Sequence, residues 1–152
     1  MLTFIMAKEI ERKFLVADNS YESMATSCRH IMQGYLCRRP ESTVRVRIAD
    51  GEAWLTVKSR NRGIERDEWE YPIPVEDARL MLSRCADGNV IEKYRYIVPF
   101  GGFTWEVDRF CGAHEGLIVA EVELPHAAVS PSLPPFLGKE VSGDPQYYNS
   151  NL

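Results

Sequence analysis

The feature that most constrains this chain is a period-two charge pattern repeated along nearly every extended stretch. Successive side chains of a strand point to opposite faces, so residues two apart share one. Glu9, Glu11 and Lys13 share a face in this way. The same spacing recurs in Arg45/Arg47, Glu68/Glu70, Lys93/Arg95, Glu106/Asp108 and Glu121/Glu123, and Lys58 follows Thr56 at the same interval. The opposite faces are apolar: Val44, Val46 and Ile48; Leu55 and Val57; Trp69 and Tyr71; Tyr94 and Tyr96; Trp105 and Val107; Ala120, Val122 and Leu124. A sheet whose charged face meets water is the simplest reading of such alternation. The apolar face, however, is too aromatic to stand bare, so helices or a second sheet must cover it. The charged face holds few uncharged polar residues and is prominent in arginine. That planar fork suits bidentate phosphate binding, which favours a concave, enclosing surface over a wet one.

The strands predicted from this pattern span about Lys8–Val16, Ile31–Arg39, Thr43–Ala49, Glu52–Ser59, Ile64–Ile73, Val90–Phe100, Gly102–Phe110 and Leu117–Leu124. Asp50-Gly51 and Gly101-Gly102 are tight-turn signals, and Asn61-Arg62-Gly63 is a looser hairpin loop. One helix is expected over about Tyr21–His30, with Asn19 or Ser20 as N-cap, and a second over Val75–Cys85. Asp144 followed by Pro145 predicts a short terminal helix, which could cap one mouth of the fold. Eight mostly antiparallel strands in so short a chain favour a closed or nearly closed barrel. The fold class is therefore α+β but mainly β, with flanking helices and a charged lumen. No linker, repeat or composition break divides it, so residues 7–152 read as a single domain. Residues 1–6 read as an N-terminal extension, with Met6 an alternative start.

Composition narrows the function classes. A formal net charge of −4 argues against a general nucleic-acid binder. No apolar run approaches the roughly 18 residues that cross a bilayer, and Met1–Met6 is too short for a signal sequence. Cys28, Cys37, Cys85 and Cys111 form no Cys-x-x-Cys pair and fit free thiols in a reducing cytoplasm. His30, His114 and His126 lack zinc-site spacing. There is no phosphate-binding glycine loop, since Gly138-Lys139-Glu140 does not substitute for one, and no nucleophile–histidine arrangement.

The charge count sharpens the picture. Lys13, Arg45, Arg47, Lys58, Lys93 and Arg95 supply six cations to the shared face against eight carboxylates, a net of −2. Enclosed charges at such density must be paired or bound to ions. A triphosphate would add roughly four to five negative charges, so divalent ions held by carboxylate oxygens are needed near it. Carboxylates that hold Mg2+ or Mn2+ beside an Arg/Lys cluster are what phosphoryl transfer requires.

At Glu9-Ile10-Glu11-Arg12-Lys13-Phe14-Leu15 the chain resembles the CYTH superfamily of triphosphate tunnel metalloenzymes, and especially its short bacterial inorganic triphosphatases. The Glu-x-Glu-x-Lys motif is short, but Arg45-x-Arg47, Lys58, Glu68-x-Glu70, Lys93-x-Arg95, Asp108 and Glu121-x-Glu123 follow in order. The resemblance implies an eight-stranded antiparallel barrel forming a tunnel. It implies metal ligation by Glu9, Glu11, Glu121 and Glu123, and phosphate binding by Lys13, Arg45, Arg47, Lys58, Lys93 and Arg95. Glu68, Glu70 and Asp108 would orient the cations or bind a second metal. Lys13 and Glu11 would act at the reacting phosphate. Tyr35, in Gln33-Gly34-Tyr35-Leu36, resembles the tyrosine that short bacterial members set beside the motif lysine. The implied substrate is a small triphosphate, with no nucleic acid and no membrane, in a monomer or homodimer. Adenylate cyclase and thiamine or RNA triphosphatase activities belong to other branches, and a polyphosphate-binding module remains the non-enzymatic alternative.

Overall fold

The computed structural model describes residues 7–152, so the expected extension over residues 1–6 and the choice of start lie outside the described residues. Eight strands close into a ring: β1 (Ala7–Val16), β2 (Ser27–Arg39), β3 (Ser42–Ala49), β4 (Glu52–Ser59), β5 (Glu65–Ile73), β6 (Ile91–Phe100), β7 (Phe103–Phe110) and β8 (Ile118–Glu123). Their order around the ring is β1-β5-β4-β3-β2-β6-β7-β8, and β8 returns to β1. Every pairing is antiparallel. An eight-stranded ring leaves an interior about wide enough for side chains to fill.

The closure is made by β1. It pairs with β5 over Ala7–Ile10 and with β8 over Glu11–Leu15. Where β5 leaves, a short ninth strand, β9 (Leu137–Glu140), takes its place against Phe14 and Val16. Arg12 locks this edge by a two-pronged 2.8 Å contact with Glu140. The predicted turns lie at the hairpin tips: Asp50 and Gly51 join β3 to β4, and Gly101 and Gly102 join β6 to β7. All four have positive φ, the twist that matches tight hairpins.

The apolar faces point outward and are covered. On one side Phe14, Trp105, Val107 and Val122 pack under Tyr21 of α1 (Ser20–Met24) and under Phe136. On another, α2 (Val75–Arg84) lays Ala78 and Leu82 on Val46 and Ala53. Gly34 permits this approach, because a Cβ there would lie 2.8 Å from Leu82 Cδ2. Leu80 of the same helix points away and is exposed.

Three sequence expectations change. The first helix stops at Met24, and Ser27–His30 extend β2 by pairing with Ile97–Tyr94 of β6. Ladder hydrogen bonds from a neighbouring strand outweigh the weak local helix preference of that polar stretch. β9 emerges from the proline-rich tail, where no alternation announced it. The terminal segment forms two 3-10 turns, Pro145–Tyr147 and Asn149–Asn151, instead of one helix; Asp144 does cap the first by accepting from the Gln146 amide. All four cysteines are free. No helix among the described residues is long and apolar enough to cross a membrane.

Candidate active site

The inward faces of the ring carry the charges. A cavity of about 210 Å3 is lined by Glu9, Glu11 and Lys13 of β1, Arg45 and Arg47 of β3, and Lys58 of β4. Arg66, Glu68 and Glu70 of β5, Lys93 and Arg95 of β6, Glu106 of β7, and Glu121 and Glu123 of β8 complete it. Tyr35 of β2 lines it too, beside Thr43. Every residue assigned a role from sequence is therefore on this wall except Asp108, which lies beneath it, 2% exposed. None of the histidines lines the cavity.

Toward one end the inward positions turn apolar. Leu15, Tyr35, Ile91, Phe110 and Val119 lie two residues from Lys13, Gln33, Lys93, Asp108 and Glu121 on the same strand faces and pack together with Leu117 and Leu152. This floor excludes water from the charges next to it. Lys93 is 0% exposed, with its ammonium 5.4 Å from the Phe110 ring.

Deep in the barrel, Asp108 gathers two cations. Its Oδ2 accepts from Lys93 Nζ at 2.8 Å, and its two oxygens accept from Arg95 Nε and Nη2 at 2.7 and 2.8 Å. Burial opposes the Asp108 charge, but Arg95 and Lys93 together hold its carboxyl far below the usual range. Arg95 is held well above its own, burial notwithstanding, by the same contact. Lys93 has only a share of that carboxylate. Burial, with Arg95 and Arg47 nearby, pushes it down to about 7. Burial and the neighbours Arg45 and Arg95 bring Arg47 down to about 9.

Nearer β1 and β5, Glu9 accepts from Lys58 at 2.9 Å and from Arg66 at 3.1 Å. Burial would raise Glu9, yet Lys58, a hydrogen bond with Glu68, and Arg66 leave it well below the ordinary value. Glu68 is raised to about 7 by burial and by the bond it shares with Glu9, although Lys58 lies 3.2 Å away. Lys13 Nζ lies 3.4 Å from Glu121 and donates to the Tyr147 carbonyl at 3.0 Å. Burial of Glu121 is overridden chiefly by Lys13, which brings it to about 2. For Glu11 the balance reverses: burial, then Glu121 and Glu9, push it well above the usual range against Lys58 and Lys13. Glu123, directly opposite Glu11 in the β1–β8 register, is raised by burial and by Glu9 and Glu106.

This donor set suits a hard divalent cation. Glu11 is a half-buried carboxylate crowded by others, and carboxylate oxygens are the ligands Mg2+ and Mn2+ prefer. Among the described residues no three acidic, histidine or cysteine groups are yet gathered as a metal cage, because Glu9 and Glu121 lean toward lysines instead. The anion side is equally plain. Arg45 Nη2 donates to Thr56 at 3.2 Å, Thr56 to Glu70 at 3.0 Å, and Arg45 Nε is buried without an acceptor.

Sequence reading missed several lining groups. Arg66 shares its face with Glu68 and Glu70 and was legible by parity. Gln33, two residues before Tyr35 and fully buried behind the lining against Arg47, was legible in the same way. Ser142, Tyr148 and Asn149 reach the cavity from the terminal segment, where no periodicity could place them.

The comparisons with known proteins agree with this geometry. A family model described as the CYTH domain matches residues 7–148. A protein of Acetivibrio thermocellus named inorganic triphosphatase is 47% identical over 147 residues, covering 97% of this chain and 94% of that protein. One of the same name from Nitrosomonas europaea is 36% identical over 148 residues, with 95% of each covered. The crystal structure of the inorganic triphosphatase NE1496 superposes with a TM-score of 0.64 at 32% identity, over 99% of this chain and 94% of that one. A Pyrococcus horikoshii structure at 20% identity, TM-score 0.61, covering 78% and 79%, shares the fold. With a closed eight-stranded ring, an inward row of arginines, lysines and glutamates, and matches that span its length, the chain belongs to the CYTH domain family.

Proposed function

We propose that the barrel of residues 7–152 hydrolyses inorganic tripolyphosphate to pyrophosphate and orthophosphate. The observation that carries this reading is Arg45, whose Nε is buried without an acceptor on a wall that presents seven cations to one cavity. A buried donor left unpaired costs about 1–3 kcal/mol, and an extended polyanion is the ligand that satisfies a row of them. The names of the two relatives support the phosphate class. The lining is almost wholly polar, with no broad apolar wall for a base or a thiazole ring, which favours the inorganic substrate.

In this mechanism Lys13, Arg45, Arg47, Lys58, Lys93 and Arg95 bind the phosphate oxygens. Lys13, with Tyr35 on the same cavity wall, holds the terminal phosphate, and Glu11 accepts a hydrogen bond from the attacking water. The water oxygen bonds to phosphorus as the bridging P–O bond breaks, a proton of that water passes to an oxygen of the departing pyrophosphate, and the arginines and lysines stabilise the charge gathering there. Glu9, Glu11, Glu121 and Glu123 would hold Mg2+ or Mn2+, which when bound supplies a Lewis acid that polarises phosphate oxygens and acidifies water. Asp108 orients Lys93 and Arg95; Glu68 orients Lys58; Glu70, through Thr56, orients Arg45.

Phosphate release from tripolyphosphate, ATP and thiamine triphosphate, with Mg2+ and with Mn2+, tests this. Orthophosphate should appear fastest from tripolyphosphate, and Glu123→Gln should abolish metal-dependent release while melting as the wild type does. Cyclic AMP and pyrophosphate from ATP, or tight tripolyphosphate binding without turnover under either metal, would overturn it.

A further inference from the structure

Two uncharged amides lie among the buried cations. Gln33 is 0% exposed on the inward face of β2. Its Oε1 accepts from Arg47 Nε at 2.8 Å, and its Nε2 donates to Asn149 Oδ1 at 3.2 Å. The same Asn149 oxygen accepts from Lys93 Nζ at 2.9 Å. The orientation of both amides is set by their partners: Arg47 and Lys93 can only donate, so an oxygen must face each. The result is one chain, Arg47–Gln33–Asn149–Lys93, which joins β3, β2, the terminal turn and β6. Among the described residues Arg47 has no carboxylate at ion-pair distance, so this amide is what fixes its fork.

We propose that Gln33 and Asn149 are positioning residues for anion binding. They hold Arg47 toward the cavity through a neutral acceptor and give Lys93 a neutral acceptor beside the Asp108 carboxylate it already meets, so both side chains are fixed without added negative charge. A carboxylate in either place would hold the cation equally well but would compete with the phosphate for it. The need is therefore for an amide, not merely for a hydrogen bond. This inference rests on the triphosphate reading of the site and names how two of its cations are kept available.

The test compares Gln33→Met and Asn149→Leu, which remove the hydrogen bonds, with Gln33→Glu and Asn149→Asp, which keep shape and add charge. Binding of tripolyphosphate to the full chain without divalent metal is measured calorimetrically, alongside thermal melting. The apolar variants should weaken binding about tenfold, the loss of roughly one hydrogen bond to a charged group. The acidic variants should weaken it about a hundredfold while melting no lower than wild type. Because both residues act through one chain, Gln33→Met/Asn149→Leu should lose less than the product of the single effects. In turnover with Mg2+, KM should rise by the same factor as the binding constant, with kcat within about threefold, the mark of uniform binding.

Acidic variants that bind as tightly as the wild type would overturn the proposal, as would singles whose effects multiply. If Gln33→Met fails to fold, the Asn149 pair decides: equal binding by Asn149→Leu, Asn149→Asp and wild type overturns it. A wild type that neither binds tripolyphosphate nor releases phosphate from it with Mg2+ or Mn2+ would sink the functional reading itself, a different result.

Discussion

Replacing Asp108 by Asn probes the deepest charges of the barrel with the least change of shape. Asp108 accepts three hydrogen bonds, one from Lys93 and two from Arg95, at 2.7–2.8 Å. A bond to a charged group contributes about 1.5–3 kcal/mol and a neutral one about 0.5–1.5. Asn keeps one acceptor, enough for at most two of the three bonds, and turns its NH2 on the third, so weakening two bonds by about 0.5 kcal/mol each and losing one of about 2 kcal/mol gives roughly 3 kcal/mol in all. That agrees with the low end of the ~3–5 kcal/mol that follows removal of one partner from a buried pair. Lys93 keeps the cost at that end, because it is already held down to about 7 and can release its proton when Asp108 no longer supports it. At ~2–4 °C per kcal/mol for a domain of this size, Asp108→Asn should melt about 6–12 °C below wild type at pH 7, followed by circular dichroism. The difference should also depend on acid. A carboxylate with a depressed folded pKa stabilises above its unfolded value, here 3.8, and loses that contribution as pH falls toward the folded one. The gap between the two proteins should therefore narrow below about pH 3.8. A variant melting within ~2 °C of wild type would refute the reasoning, and so would a gap that widens in acid.

Two further perturbations bear on the cation sites and on the barrel edge. Metal uptake should release protons near pH 6.5, because burial raises Glu68 to about 7 and pushes Glu11 upward as well. Affinity should thus rise with pH through about 7, and titration heats should differ between buffers of different ionisation enthalpy; identical heats would count against it. The same raised groups make the metal-free protein lose stability as pH climbs from 4.5 through about 7, a slope that bound metal should flatten. Arg12→Ala, by contrast, removes a partly exposed pair with Glu140 and should cost only ~0.2–1 kcal/mol. A loss of several kcal/mol in thermal melts would show that β9 depends on that contact far more than surface ion pairs normally allow.

How far the sequence announced this arrangement depended on periodicity. Strand parity located the inward faces because a two-residue repeat survives any register, so Glu9 to Lys13, Arg45/Arg47 and Glu121/Glu123 could be grouped before their strand neighbours were known. Parity says nothing about depth. Glu106 and Asp108 share a face, yet Glu106 lines the cavity while Asp108, at the level of Arg95 and next to the Phe110 floor, is enclosed by its two cations. That difference arises from the stagger of β6 against β7, a non-local quantity. The apolar floor itself, from Leu15, Tyr35, Ile91, Phe110 and Val119, was hidden for the same reason. The terminal contacts of Tyr147 and Asn149 with Lys13 and Lys93 were beyond sequence altogether, since an irregular segment carries no repeat to read.

Counting Arg66, the lumen holds seven cations against eight carboxylates, a net of −1 where the sequence count was −2. Near-balance alone would describe a self-satisfied ionic core with nothing to bind. The distribution argues otherwise, because the pairing is uneven with depth. Toward β5 the pairs are complete, with Glu9 on Lys58 and Arg66. Around β3 and β6 cations crowd one another: Arg47 has an amide for its partner, Lys93 shares Asp108 with an Arg95 that also reaches Glu106, and Arg45, 3.7 Å from Glu70 through Nη2, leaves Nε without an acceptor. Burial against the apolar floor is what makes these charges costly, and it lowers Lys93 and Arg47 accordingly. A polyanion entering there restores the charge that burial opposes, so it gains more than it would from the same residues spread on a wet surface, where water already solvates each one. On the proposed reading the apolar floor would therefore contribute to anion binding although, Tyr35 apart, its side chains need not touch the anion.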